Sequence, residues 1–176
     1  MRLFLTIFYF TIFSLNAQKI ENIFFESGNP FALSDIISDL ENQKKQDVFG
    51  KLTIPLDSLN QEKKYPLIIG VAGSLGWRKH HHEYMQMYQN NGFATFELNS
   101  FKSRNIISTV GSQVEVTTAA IILDAYRAFE ELAKHPNIDK DRVSITGWSL
   151  GGAVALFSAW KPVKQAITKD LKFASH

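Results

Sequence analysis

The chain has 176 residues, a length that fits one domain. Hydrophobic residues make up 45% and charged residues 20% of the chain, which excludes an intrinsically disordered protein. The net charge of +2, without a long basic stripe, gives no reason to expect nucleic acid as a partner. The absence of cysteine excludes disulfides, a thiolate nucleophile and zinc sites built from cysteine. We expect no cofactor.

The N-terminus has the pattern of an export signal. Met1 and Arg2 give a short positive start, and residues 3–15 form an apolar run that ends before the small Ala17. This pattern predicts a signal peptide over residues 1–17, cleaved after Ala17, and a secreted or periplasmic protein. The alternative is an uncleaved anchor, but a run of about 13 residues is shorter than the roughly 20 that span a bilayer. We therefore expect no stable membrane anchor after cleavage.

Residues 18–45 are interpreted as an N-terminal leader. They contain a turn signal at residues 27–30 and a weakly amphipathic stretch at residues 33–40, where Ser34 could cap a short helix. We expect this leader to pack outside the main sheet.

Residues 46–176 alternate between short apolar runs and helical patterns. The apolar runs predict strands buried on both faces, and the apolar residues at helical spacing predict helices packed against them. Predicted strands cover residues 48–55, 65–72, 93–98 and 142–146, and predicted helices cover residues 83–90, 114–135 and 153–160. This alternation predicts an α/β fold with a mostly parallel sheet and helices on both faces.

The chemistry-bearing motif is G-x-S-x-G at residues 147–151, between a predicted strand and a predicted helix. In this motif the serine sits on a very tight strand-to-helix turn, so that Gly147 and Gly151 must lack a Cβ. The turn lifts the hydroxyl of Ser149 above the sheet edge, which makes Ser149 the candidate nucleophile. It also places the Leu150 amide at a helix start, where an oxyanion is stabilised.

A second glycine turn follows the predicted strand at residues 65–72. It contains Gly73, Ser74 and Gly76, and the loop at this position donates the other amide of an oxyanion hole in folds with this elbow. We assign that donor to the Ser74 amide. The alternative is an ordinary glycine turn.

Five segments in order resemble the dienelactone hydrolase family: FGKL at 49–52, GS at 73–74, NSFKSR at 99–104, HPNID at 135–139 and GWSLGG at 147–152. The resemblance implies an α/β-hydrolase-type fold and cleavage of a small-molecule ester or lactone through an acyl-serine. Three residues depart from the family: Ser149 stands where the best-known members use cysteine, Ala72 where many have histidine, and Asn99 where aspartate is expected. These departures concern the lactone substrate more than ester chemistry.

The resemblance also implies that the acid and the base of the triad follow the nucleophile. Only Asp170 and His176 remain after Ser149, the former in a polar connection and the latter after residues 172–175, which resemble the start of a further strand. We therefore expect a fold that is incomplete on its C-terminal side, with acid and base beyond residue 176. The alternatives are a prolyl-oligopeptidase-like peptidase, and a non-catalytic binding module or inactive fragment.

Other charged residues suggest weaker hypotheses. Arg104, with Arg78, could bind an anionic substrate from loops at the strand ends. The run of residues 80–82 is three histidines, which we interpret as a solvated helix start, so no metal site is expected.

Overall fold

The computed structural model describes residues 18–55 and 62–176, so the predicted signal peptide lies outside the described residues. The strands are β1 (Gln18–Gly28), β2 (Lys45–Pro55), β3 (Tyr65–Val71), β4 (Ala94–Leu98) and β5 (Ile138–Gly147). The helices are α1 (Leu33–Ser38), α2 (Lys79–Asn90), α3 (Ser100–Ser103), α4 (Thr118–Leu132), α5 (Leu150–Ser158) and α6 (Lys161–Ile167), with a 3₁₀ turn at Leu40–Asn42. No helix in these two described ranges is long and apolar enough to cross a membrane.

The five strands form one sheet in the order β1-β2-β4-β3-β5. Strand β3 runs parallel to β4 and β5, whereas β2 runs antiparallel to β1 and β4. Helices α2 and α4 both pack on β2 and β4 without packing on each other, so they lie on opposite faces. The predicted α/β architecture is confirmed. Its described sheet is mixed, with the parallel part confined to β4, β3 and β5.

The prediction that residues 18–45 pack outside the sheet is wrong for their first part. Strand β1 pairs with β2 along its whole length, from Gln18 opposite Pro55 to Gly28 opposite Lys45. Ile23 and Phe25 pack against the core, whereas Ile20 and Phe24 are exposed. Apolar residues therefore occupy both faces of the strand, and the alternation that signals a half-buried strand is blurred.

The outer edge of β5 is partly covered by the last residues. The Ala174 amide donates to the Val143 carbonyl at 2.7 Å, and the Ile145 amide donates to the Ser175 carbonyl at 3.1 Å. These bonds agree with the expectation that residues 172–175 begin a further strand. Phe173 is buried between the rings of Tyr126 and Phe129 on α4, which anchors this segment.

Arg104 forms a buried ion pair with Asp124, and this contradicts the hypothesis that it binds an anionic substrate. Its guanidinium donates to both oxygens of Asp124 on α4, at 2.7 and 3.1 Å, and the two side chains are 5% and 0% exposed. It also donates to the Gly28 carbonyl, the Asn29 side chain and the Ser100 carbonyl. Arg104 thus joins the end of β1, the segment after β4 and α4.

Replacement of Arg104 by methionine (R104M) should lower the free energy of unfolding of the full-length protein by about 3–5 kcal/mol, because Asp124 would be left buried without its partner. Urea unfolding followed by circular dichroism measures the change. Arg127→Met is the matched control, since its pair with Glu130 is about 30% exposed on both sides and should contribute less than about 1 kcal/mol. An equal decrease in the free energy of unfolding of the two variants would contradict the structural role of the buried ion pair.

Candidate active site

Ser149 occupies the turn between β5 and α5 in a strained backbone conformation. Its φ is 53° and its ψ is −114°, a region that residues other than glycine rarely adopt. The side chain is exposed. The strand–turn–helix context that the motif requires is therefore present, and the serine hydroxyl is presented to solvent.

The two motif glycines are required by close backbone contacts. A Cβ on Gly147 would lie 2.1 Å from the Gly151 carbonyl oxygen, and a Cβ on Gly151 would lie 2.1 Å from the Val71 carbonyl oxygen. The Trp148 amide donates to that same Val71 oxygen at 3.2 Å. The elbow is thus held directly against the end of β3.

The glycine turn after β3 lies beside the elbow. A Cβ on Gly73 would be 3.5 Å from the Ser149 Cβ, and the Gly76 amide closes the turn by donating to the Gly73 carbonyl at 2.8 Å. Within residues 18–55 and 62–176, neither the Ser74 amide nor the Leu150 amide donates a hydrogen bond to the chain. Both predicted oxyanion donors therefore flank Ser149 with their N–H groups uncommitted.

A cavity of about 490 Å³ opens next to this turn, between the loops that follow β3 and β4. Val71, Gly76 and Trp77 form its wall toward the elbow, and Phe49 and Phe101 contribute to its apolar lining. Such a cavity is in the size range of small-molecule pockets. It lies at the carboxyl edge of the parallel strands, where open α/β sheets bind ligands.

The polar side of the cavity is centred on Glu97. This carboxylate is 9% exposed, and its Oε1 accepts from Lys51 Nζ at 2.9 Å and lies 3.2 Å from His82 Nδ1. Arg78 and Lys102 also line the cavity. The wall therefore carries more cationic than anionic side chains. Of the two arginines that the sequence suggested for binding an anionic substrate, Arg78 lines this cavity and Arg104 does not.

The histidine run is only partly the solvated helix start that the sequence predicts. His80 and His82 are exposed, but His81 is 4% exposed and stacks on Trp148 with ring centroids 4.6 Å apart. Its pKa is lowered, first by burial and then by His80, His82 and Arg78. No group of residues that could hold a metal occurs within the described ranges. The residue pattern alone carried no signal for the contact between His81 and Trp148.

No described side chain hydrogen-bonds the Ser149 hydroxyl as a general base would. The His176 ring bonds Ser158 Oγ at 3.0 Å and the Ala155 carbonyl at 3.1 Å, and Ser158 is about 13 Å along α5 from Ser149. His135 lies next to Glu21 near the other end of β5. Asp170 is exposed in the segment after α6.

Gly151→Ala should prevent the elbow from forming and lower the free energy of unfolding by at least about 3 kcal/mol, because the new Cβ overlaps backbone that cannot move independently. Thermal unfolding of the full-length protein measures the loss. Gly152→Ala is the control one residue away: its Cβ would meet the Gly147 carbonyl group at ordinary distances, 3.4 Å from the oxygen and 3.9 Å from the carbon. A Gly151→Ala protein as stable as the Gly152→Ala protein would refute the packing described here.

Known proteins that are similar to this chain share its architecture. The acetyl xylan esterase family (AXE1) matches residues 106–176, which include the elbow but less than half of the chain. A dienelactone hydrolase-like promiscuous phosphotriesterase from metagenomic libraries is similar at 14% identity and a TM-score of 0.55, over 80% of this chain and 54% of that one. No curated protein sequence is similar enough to match.

Two further solved structures show the breadth of the likeness. Acetyl xylan esterase from Paenibacillus sp. R4 is 18% identical with a TM-score of 0.55, over 85% of this chain and 47% of that one. Pyrococcus horikoshii acylaminoacyl peptidase is 22% identical with a TM-score of 0.53, over 81% of this chain and 21% of that one. The chain spans about half the length of the dienelactone hydrolase-like and esterase structures. It has the α/β-hydrolase fold and resembles the dienelactone hydrolase-like proteins and esterases that share this fold.

Proposed function

We propose that this protein is an exported serine hydrolase that cleaves carboxylic esters or lactones of small molecules through an acyl intermediate on Ser149. One observation carries the proposal: an exposed serine in a strained elbow, flanked by two amides whose N–H groups have no acceptor in the described chain. Strain of this kind persists where surrounding structure maintains it, and it is concentrated at functional sites.

The proposed reaction has two halves. Ser149 Oγ attacks the carbonyl carbon and loses its proton to a base, while the carbonyl electrons move onto the oxygen. The amides of Ser74 and Leu150 would donate to that oxyanion, and one such donor contributes roughly 10²- to 10³-fold in turnover. Collapse of this intermediate expels the alcohol, whose oxygen takes the proton from the base. In the second half water attacks the acyl-serine and gives its proton to the base. Ser149 Oγ then leaves and takes that proton, which releases the acid.

The base and its carboxylate are expected beyond residue 176, in the order that the resemblance implies. Two facts support this. No described histidine bonds Ser149, and the part of this chain that aligns covers only 54% of the dienelactone hydrolase-like structure and 47% of the acetyl xylan esterase structure. Export rests on the signal pattern of residues 1–17, and N-terminal sequencing of the protein recovered from the periplasm or medium tests cleavage after Ala17.

The cavity beside Gly76 is the candidate pocket for one half of the substrate. Its apolar wall suits an acyl or alcohol group, and Glu97 with Lys51 offers an acceptor and a donor for substrate hydroxyls. The match of residues 106–176 to acetyl xylan esterases makes acetylated carbohydrates the first substrates to assay.

A peptidase is the second candidate. It is favoured by the likeness to the Pyrococcus horikoshii acylaminoacyl peptidase, which covers 81% of this chain. Faster hydrolysis of aminoacyl substrates than of simple esters would support it. A non-catalytic module is the third, favoured by the absence of a base beside Ser149 in the described chain.

A fluorophosphonate probe should label the full-length protein, and Ser149→Ala should abolish the labelling together with turnover of p-nitrophenyl acetate. Loss of the nucleophile from a serine hydrolase lowers turnover by roughly 10⁶-fold. Ser144→Ala is the control, since Ser144 lies on β5 before the elbow and its side chain bonds only Ser175 among residues 18–55 and 62–176. Labelling that survives in Ser149→Ala would refute the assignment, and an unlabelled wild type would favour the non-catalytic module.

A further inference from the structure

His81 connects the two segments that carry the candidate oxyanion donors. Its ring stacks on Trp148, the residue before Ser149, with ring centroids 4.6 Å apart and planes inclined by 27°. It also meets Trp77, which directly follows the turn that contains Ser74, nearly at right angles and at a centroid distance of 5.8 Å. The Ser74 turn and the elbow thus share one buried imidazole.

Each tryptophan is hydrogen-bonded to the end of a strand. Trp77 donates its indole N–H to the Leu98 carbonyl at the end of β4, at 2.9 Å. The Trp148 amide donates to the Val71 carbonyl at the end of β3. The rings of Trp77 and Trp148 also meet edge to face at 5.9 Å. His81 therefore packs against two tryptophans that are bonded to the ends of neighbouring strands, Trp77 through its indole and Trp148 through its backbone amide.

The hydrogen bond at His81 Nδ1 determines whether this ring can accept a proton from Ser149. Nδ1 accepts from the Arg78 amide at 3.2 Å, which completes one half of a capping box at the start of α2. A neutral imidazole has one acceptor nitrogen, so Nε2 carries the hydrogen. His81 has no lone pair left to take a proton from Ser149, and it is a positioning residue rather than the general base.

We propose that the ring of His81 sets the separation between the Ser74 and Leu150 amides, and so aligns the oxyanion hole on Ser149. This inference rests on the proposed serine-hydrolase function. It predicts that removal of the ring acts on the transition state, since an oxyanion exists only there, and leaves ground-state binding nearly unchanged.

The same geometry predicts a pH dependence. The charged and titratable groups around His81 are Arg78, His80 and His82, and Tyr84 packs on the other partner, Trp148. Protonation would turn Nδ1 into a donor facing the Arg78 N–H, which breaks the cap. Because burial lowers the pKa of His81, the unfolded chain takes up the proton first. The contribution to stability is present above about pH 6.5 and is lost as the pH falls through the lowered pKa.

The test compares His81→Ala, His81→Phe and His80→Ala in the full-length protein, by steady-state hydrolysis of p-nitrophenyl acetate from pH 4.5 to 8. His81→Ala should lower kcat by roughly 10- to 100-fold with KM within about twofold, the cost of a small misalignment at the reacting atoms. His81→Phe, which keeps a flat ring that cannot titrate, should recover most of kcat. It should also lose less stability than the wild type between pH 7 and 5. His80→Ala, in the exposed neighbour whose ring lies 4.0 Å from that of His81, should keep the wild-type kcat at pH 8. It should shift the loss of stability to higher pH, because His80 is one of the groups that lower the pKa of His81.

Three results would overturn the inference while the proposed function stands: kcat of His81→Ala equal to that of His80→Ala, a change confined to KM, or a His81→Phe protein as slow as His81→Ala. If His81→Ala does not fold, the kcat and pH profile of His81→Phe decide alone. A wild type that neither reacts with the fluorophosphonate probe nor hydrolyses the ester would instead refute the proposed function, and this inference with it.

Discussion

The contact between the elbow and the end of β3 is the constraint on which the site depends. The Val71 carbonyl accepts the Trp148 amide and lies so close to Gly151 that any Cβ there would overlap it, at 2.1 Å. Strands β3 and β5 are parallel neighbours whose register pairs Val71 with Gly147. Since the carboxyl ends of parallel strands meet at one edge, the turn after β3 and the turn after β5 are brought together by the sheet itself. The turn that contains Ser74 and the elbow that precedes Leu150 are neighbours for this reason.

A strained serine also needs a rigid surround. A backbone in the region of Ser149 costs on the order of 1–3 kcal/mol and persists only where its surroundings leave no alternative. Here the surroundings include α5 behind the serine, with Val154 fully buried, and α4 beneath it. Helix α4 is fixed in turn by the buried pair of Arg104 and Asp124. Arg104 thus supports the candidate site at a distance, through the helix layer, without contact with a substrate.

The parts that the sequence predicted well are those encoded by neighbouring residues. Strands β3 and β4 are short apolar runs bounded by turn residues, and the prediction for residues 142–146 found the C-terminal half of β5 but not its polar start at Ile138. The elbow is a five-residue motif, in which Gly147 is required by the backbone of Gly151 four residues later. Helix starts were less accurate. Helix α4 begins at Thr118 rather than at residue 114, because the Thr117 hydroxyl accepts the Ala120 amide. Helix α2 begins at Lys79 rather than at residue 83, because His81 caps the Arg78 amide.

What the sequence did not predict depends on partners far along the chain. Arg104 has the same local pattern whether it faces a substrate or Asp124, and only the packing of α4 against β1 decides between them. His81 stands in a polar run, and its burial follows from Trp148, which lies on another strand's turn. Strand β1 carries apolar residues on both faces, so that its membership in the sheet follows from pairing with β2 rather than from periodicity.

Oxyanion stabilisation and activation of the serine place different demands on the fold. Oxyanion stabilisation uses backbone amides, and two turns next to each other in a parallel sheet are enough to supply them. Activation of the serine needs a side chain with a free lone pair at hydrogen-bond distance, and the one buried imidazole near the elbow has already used its lone pair on the Arg78 amide. In serine proteases the oxyanion hole and substrate binding still give roughly 10³- to 10⁴-fold acceleration when a triad member is removed. Under the proposed function, the two turns would stabilise the developing negative charge, and the ring of His81 contacts one tryptophan beside each of them.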